Sequence, residues 1–187
     1  MWPWGHLGVA YILYSLYSRG RFRRPPRPEP ALAVVIGSQF ADLIDKPLAW
    51  GLGILPGGRT LAHSLVFAGI LIVVVYAIAF ATERVETATA FILAHLSHLI
   101  ADLPPRLLLG YPVGTEFLFW PFLPQPAFGY NERVFEPPAV VEFIVTPLTD
   151  PLLFSLFELL LFGLAIGLWY LDGRPGLQYI RIRSSTA

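Results

Sequence analysis

One run of residues constrains this chain more than any other feature. Residues 64–81 (SLVFAGILIVVVYAIAFA) carry no charge at all. A second run, 152–171 (LLFSLFELLLFGLAIGLWYL), carries a single one, Glu158. A helix needs about 20 mostly apolar residues to cross the hydrocarbon core of a bilayer. Inside lipid each backbone N–H and C=O must find its partner within the segment, so such runs are expected to be helices. Three further segments, 4–18, 31–46 and 87–103, are apolar in bulk but contain His, Asp or both. Pro47 and Pro104 follow two of them and should stop or kink those helices. The expected fold class is therefore all-α: a multi-pass transmembrane bundle of about five helices forming one domain over 1–187. Between the fourth and fifth helices, residues 104–150 read as an irregular Pro/aromatic cap on the membrane surface, with one short helix near 138–145. Residues 172–187 read as a polar tail.

Composition agrees with a membrane location. Hydrophobic residues make up 55% of the chain and charged residues 14%, against about 25% charge in soluble domains. The 13 basic and 13 acidic residues cancel, so no net field draws in a polyanion. Membrane lipid is the expected surrounding, and no nucleic-acid partner is expected. Absence of Cys excludes disulfides, thiolate nucleophiles and thiolate metal sites. Arg19, Arg21, Arg23, Arg24 and Arg27 crowd one loop, and Arg174, Arg181 and Arg183 lie in the tail. Basic segments stay in the cytoplasm. With five crossings, the N-terminus is then expected outside and the C-terminus inside the cell membrane. No basic n-region or small-residue cleavage site precedes the first helix, which reads as retained.

Ionisable groups inside apolar helices need a reason, because an Asp at a helix centre costs roughly 2.5–3.5 kcal/mol on insertion scales. Here they are metal-ligand types, and they include every His of the chain. His6 opens the first helix, Asp42 and Asp45 sit late in the second with Ser38 one turn earlier, His63 opens the third, and His95, His98 and Asp102 close the fourth. The last three, at i, i+3 and i+7, share one stripe. In the five-crossing topology these four regions all reach one depth, near the outer surface. Mixed His/Asp ligation suits Zn²⁺ or another borderline divalent ion, one or two in number. Such an ion offsets the burial penalty of the carboxylates and can activate water toward a phosphoryl or carbonyl centre.

Five pieces of sequence carry a resemblance: His6, the segments GSQFADLIDKP (37–47), RTLAHSL (59–65) and SHLIAD (97–102), and FWPF (119–122). In this order they resemble the YdjM-like membrane-bound metal-dependent hydrolases, a family similar in turn to zinc phospholipases C and fungal zinc nucleases. The resemblance implies that His6, Asp42, Asp45, His63, His98 and Asp102 occupy ligand positions. It also implies that Arg59 and Ser64 hold substrate phosphate or support the ligands. The chain departs from the family pattern in having Ala41 where Pro is usual and an Asp-x-x-Asp spacing. No His follows residue 98, so one or two ions fit better than three.

On this reading the substrate is a phosphoester, with a lipid headgroup suggested by the depth of the site. Asp42, Asp45 and Arg59 are the candidate catalytic residues, and Ser38, Ser64 and His95 candidate supports for the ligands. Two other classes stay open at this stage. A transporter or channel would use intramembrane His and Asp as a pathway, and a non-catalytic scaffold would use the metal only for stability. A hydrogen-bonded network without metal is the bland alternative for the polar residues themselves. Glu158 reads either as a helix-packing carboxylate or as an added ligand or base.

Overall fold

A computed structural model describes residues 1–111, 114–123 and 136–181. Glu132, Arg183 and the stretch of the cap at 124–135 lie outside the described residues. The architecture is all-helical, with no strand among the described residues. Helices α1 (Pro3–Phe22), α2 (Pro28–Gly37), α3 (Phe40–Lys46), α4 (Leu65–Thr82), α5 (Val85–Ala101), α6 (Ala139–Val145), α7 (Pro151–Leu171) and α8 (Leu177–Arg181) follow in order. The short helix expected in the cap is α6. Short 3₁₀ turns at Pro105–Leu109, Glu116–Phe119 and Thr146–Thr149 fill the rest of it.

Local sequence sets the ends. Proline stands in the first turn of α1, α2 and α7, where its missing N–H costs nothing. Ser64 caps α4 by accepting from the Phe67 N–H at 3.1 Å, and Asp150 caps α7 by accepting from Leu152 and Leu153. The segment expected as one helix over 31–46 is two, α2 and α3, separated by Ser38 and Gln39. Ser38 Oγ donates back to the Val35 carbonyl at 2.9 Å and Gln39 N–H to Ile36 at 3.2 Å. These local bonds compete with the helical ladder and break it. Pro47 bends rather than ends the chain, which continues as a π-helical turn over Pro47–Gly51.

Helix α5 is central and packs against α1, α2 and α4, while α1 also packs against α7. Small residues let the backbones approach: Ala10, Ala31, Ala33, Ala90, Ala94 and Ala165 form the interior with Val34, Tyr11 and Tyr14. At Gly37 the approach is closest, since a Cβ there would stand 2.4 Å from the Phe91 carbonyl oxygen. Two helices, α4 and α7, are long and apolar enough to cross a membrane, and only 11% of either apolar window is buried. They are therefore not core helices of this fold; their apolar surface faces outward. Helix α1 reaches about 30 Å at 1.5 Å per residue, but its polar residues keep it outside that class, and α5 is shorter. A five-crossing bundle is thus not established by helix length and hydropathy alone.

The arginine end is tied by two acids, buried Asp172 and partly buried Glu86. Asp172 accepts from Tyr11 at 3.0 Å and Ser15 at 2.7 Å and pairs with Arg19, joining α1 to α7. Glu86 pairs with Arg24 at 2.6 Å and accepts from Tyr14.

Gly37→Ala is expected to lower stability by about 1–3 kcal/mol through overpacking of α2 on α5. Thermal unfolding in detergent, with Gly69→Ala as a control in open space, measures this.

Candidate metal centre

The end of α1 opposite the arginines is where the scattered ligand types meet. His6 comes from the first turn of α1, Asp42 from α3, and His63 from the residue before the α4 cap. His98 lies in the last turn of α5, and Asp102 is the residue that ends it. All five are buried. His63 Nε2 stands 3.2 Å from His98 Nε2, 3.4 Å from Asp102 Oδ2 and 3.6 Å from Asp42 Oδ1. His98 Nε2 stands 3.8 Å from Asp102 Oδ2 and 3.9 Å from Asp42 Oδ1. The His6 ring stacks on His98 with centroids 3.8 Å apart. His6 Nε2 lies 3.2 Å from Asp102 Oδ1 but misaligned, so both its ring nitrogens are buried without a hydrogen-bond partner.

The far side of each central imidazole fixes its proton. His98 Nδ1 lies 2.7 Å from the Ser38 carbonyl, which can only accept, so Nδ1 carries the hydrogen. The helix break between α2 and α3 frees that carbonyl. His63 Nδ1 lies 2.8 Å from Asp45 Oδ2. Asp45 already accepts from the backbone N–H groups of Thr60, Ala62 and His63 at 2.8, 2.8 and 3.3 Å, so it too acts as an acceptor. In the neutral rings both Nε2 atoms then present lone pairs to each other, with two carboxylates alongside. Only a proton or a cation between them relieves this. Burial opposes a charged His63, yet hydrogen bonds to Asp102, Asp42 and Asp45 outweigh it and push the imidazole up to about 10.

The donor set could hold a metal ion. Bonds of about 2.0–2.2 Å in a tetrahedron place ligand atoms roughly 3.3–3.6 Å apart. The separations just given scatter about that range. Two overlapping groups satisfy the spacing, His6/His98/Asp102 and Asp42/His63/His98, each with its ligand atoms within 4.8 Å of one another.

The remaining expected residues take other positions. Asp45 stands behind His63, both its oxygens engaged as above. Arg59 grips Asp102 through Nε at 2.8 Å and a terminal nitrogen at 3.2 Å, with about half of its side chain exposed. Lys46 pairs with Asp42 at 2.5 Å. Ser64 caps α4 and donates to Leu61. The Ser38 side chain turns back on α2, while its carbonyl faces the site. His95 is buried against Phe40 and Phe67, and neither ring nitrogen has a hydrogen-bond partner among the described residues.

Two contacts at this end lie outside what spacing could reveal. The Met1 ammonium stands 2.9 Å from Asp102 Oδ1, and Phe117 of the cap packs edge-on against His63 at 6.0 Å. Glu158 of α7 accepts from the Trp2 N–H at 3.0 Å and keeps its other oxygen buried without a partner. The signal for Phe117 was its place just before FWPF.

In comparison with known families, residues 1–173 match the family model described as YdjM inner membrane protein. No curated protein and no solved structure matches.

Asp45→Ala in chelator-treated protein is expected to lower stability by at least roughly 1–3 kcal/mol, because it orphans buried amide donors. Asp42→Ala under the same conditions removes one of several crowded carboxylates and should cost much less. Paired thermal melts separate the two roles.

Proposed function

The chain belongs to the YdjM inner membrane protein family; from that membrane location and the site geometry we propose a metal-dependent hydrolase acting on phosphoester bonds. The observation that carries this reading is the approach of two buried imidazole nitrogens to 3.2 Å, each ring held from its far side by an acceptor and with two carboxylates alongside. That is the form of a site made to receive a cation, and the surrounding donors suit Zn²⁺.

In this reading His6, Asp42, His63, His98 and Asp102 hold one or two ions. Asp45 joins the set as the group that orients His63, in the manner of the carboxylate–histidine pairs that support metal ligands. The Ser38 carbonyl does the same for His98. When bound, the ion supplies a Lewis-acid centre and lowers the pKa of water at the site. The chain's own groups do the rest. Arg59, anchored on Asp102 and half exposed, places a guanidinium charge beside the ligands, where it favours an anionic phosphate. Lys46 brings a second cation beside Asp42. Asp42, the most exposed of these carboxylates, is placed to take a proton at the mouth of the site. Phe117 packs edge-on against His63 and covers that face of its ring.

The same reading extends to topology. The metal end and the arginine end lie at opposite ends of α1, so the Arg-rich loop assigns the first to the outer face and the second to the cytoplasm. The helices α1, α2–α3, α4, α5 and α7 then cross in turn. Reporter fusions after Phe22 and after Gly173 are expected to report a cytoplasmic location, and one after Gly53 an outer location. An outer signal after Phe22 would reverse the assignment.

His98→Ala and Asp102→Ala are expected to lose bound metal, read by elemental analysis of the detergent-purified protein, while keeping helical circular dichroism. Wild-type protein reconstituted with Zn²⁺ should release phosphate or alcohol from a phosphoester panel, and both variants should lose this activity. Metal content unchanged in both variants defeats the proposal.

A further inference from the structure

Two cavities follow one another along one face of α1, the first carrying Asp42 and Lys46 among apolar residues and the second almost wholly apolar. The first, of about 560 Å³, opens beside Asp42 of the metal centre and is lined by Pro3, Gln39, Asp42, Leu43, Lys46 and Trp50, among others. The second, of about 310 Å³, is almost wholly apolar, with Leu7 and Tyr11 from α1, Leu32 and Val35 from α2, and Phe162 and Trp169 from α7 on its walls. Pro3, Leu7 and Tyr11 recur at i, i+4 and i+8 and so share one face of α1. Leu32, Val35, Gln39 and Leu43 follow the facing side of α2 and α3. Gln39 bridges the seam at the junction, donating to the Pro3 carbonyl at 3.0 Å. The seam between α1 and α2–α3 thus carries Gln39, Asp42 and Lys46 at the end near the metal ligands and is hydrocarbon-like along α7.

We propose that this crevice seats one membrane lipid, with its phosphorylated headgroup at the His/Asp centre and an acyl chain in the α1–α2–α7 groove. The inference rests on the hydrolase reading and names the substrate class for that same site. The occupant follows from size, setting and charge. The groove runs along Phe162 to Trp169, about 10 Å of helix, and a packed helix 10–12 Å across would need about three times the volume over that length. A single hydrocarbon chain fits the narrower space. The wall formed by α7 belongs to a helix apolar enough to cross the membrane, so bilayer hydrocarbon has lateral access. At the other end Lys46 on the cavity wall, held on the ligand carboxylate of Asp42, matches an anionic headgroup.

The test uses the full chain in phosphatidylcholine nanodiscs containing a phosphatidic acid with a diazirine in its acyl chain. Photolysis and peptide mapping are expected to place adducts on Leu7, Leu32, Val35 or Phe162. Diacylglycerol with the same diazirine chain, which lacks only the phosphate, should label these positions about tenfold less. Val35→Trp, which fills the groove, should lower phosphatidic acid labelling about tenfold, the worth of roughly two buried methylenes. Ile70→Trp, on the outward face of α4, controls for folding and should not change it. Equal labelling by both lipids, or labelling spread evenly over α4, overturns the proposal. Labelling does not require turnover, so a protein that binds phosphatidic acid here but hydrolyses no phosphoester refutes the hydrolase reading and leaves the lipid seat standing. Where turnover is found, Val35→Trp should depress the ratio of phosphatidic acid to p-nitrophenyl phosphate hydrolysis by a similar factor; an unchanged ratio also counts against the groove.

Discussion

The structure depends on how two buried imidazoles are held. His63 and His98 come from different helices' ends, yet their Nε2 atoms stand 3.2 Å apart with lone pairs opposed in the neutral form. Neither ring is free to turn away. Asp45 grips one Nδ1 and the Ser38 carbonyl grips the other. Each grip is itself anchored. Asp45 is fixed by three backbone amides of the 60–63 turn, and the Ser38 carbonyl is exposed to His98 because the helix breaks there. Without that break the carbonyl would be spent within a continuing helix.

The frame around this arrangement is built from small residues. Gly37 brings α2 against the backbone of α5 at Phe91, and Gly8 brings α1 against Phe162 of α7. Such close crossings are how helices associate when the surrounding solvent is itself apolar, since packing rather than exclusion of water holds them together. Acidic ties at the other end of the bundle, Asp172 to α1 and Glu86 to the arginine loop, leave the ionisable groups gathered at the two ends, with apolar side chains between. That distribution is what a bilayer demands of a helical protein. It also gives the crevice along α1 its polarity, charged at one end and hydrocarbon along its length.

Much of this was legible in the residues. The uncharged run at 64–81 reads as a helix because nothing in it could satisfy a polar backbone except itself, and α4 covers nearly the same residues. His95, His98 and Asp102 share a stripe by spacing, but spacing alone treats them alike. Only packing separates His95, turned toward Phe40 and Phe67, from the two that face the other ligand types. Asp42 and Asp45 are likewise equal in sequence. The turn carrying Thr60 and Ala62 gives Asp45 its amide donors and leaves Asp42 facing the site. The break at Ser38 escaped a pattern reading because GSQF is no more polar than many helical turns.

The sequence by itself determined that the chain is helical, suited to a membrane and rich in His and Asp at helix ends, because hydropathy and spacing are properties of consecutive residues. Only the tertiary structure decided which of those groups face one another, which are spent in orienting a neighbour, and where an apolar groove meets the polar centre. Those outcomes arise from contacts between residues as far apart as Ser38 and His98 or Gly8 and Phe162. A side chain's direction is set by what packs against it, and no local pattern encodes the partner.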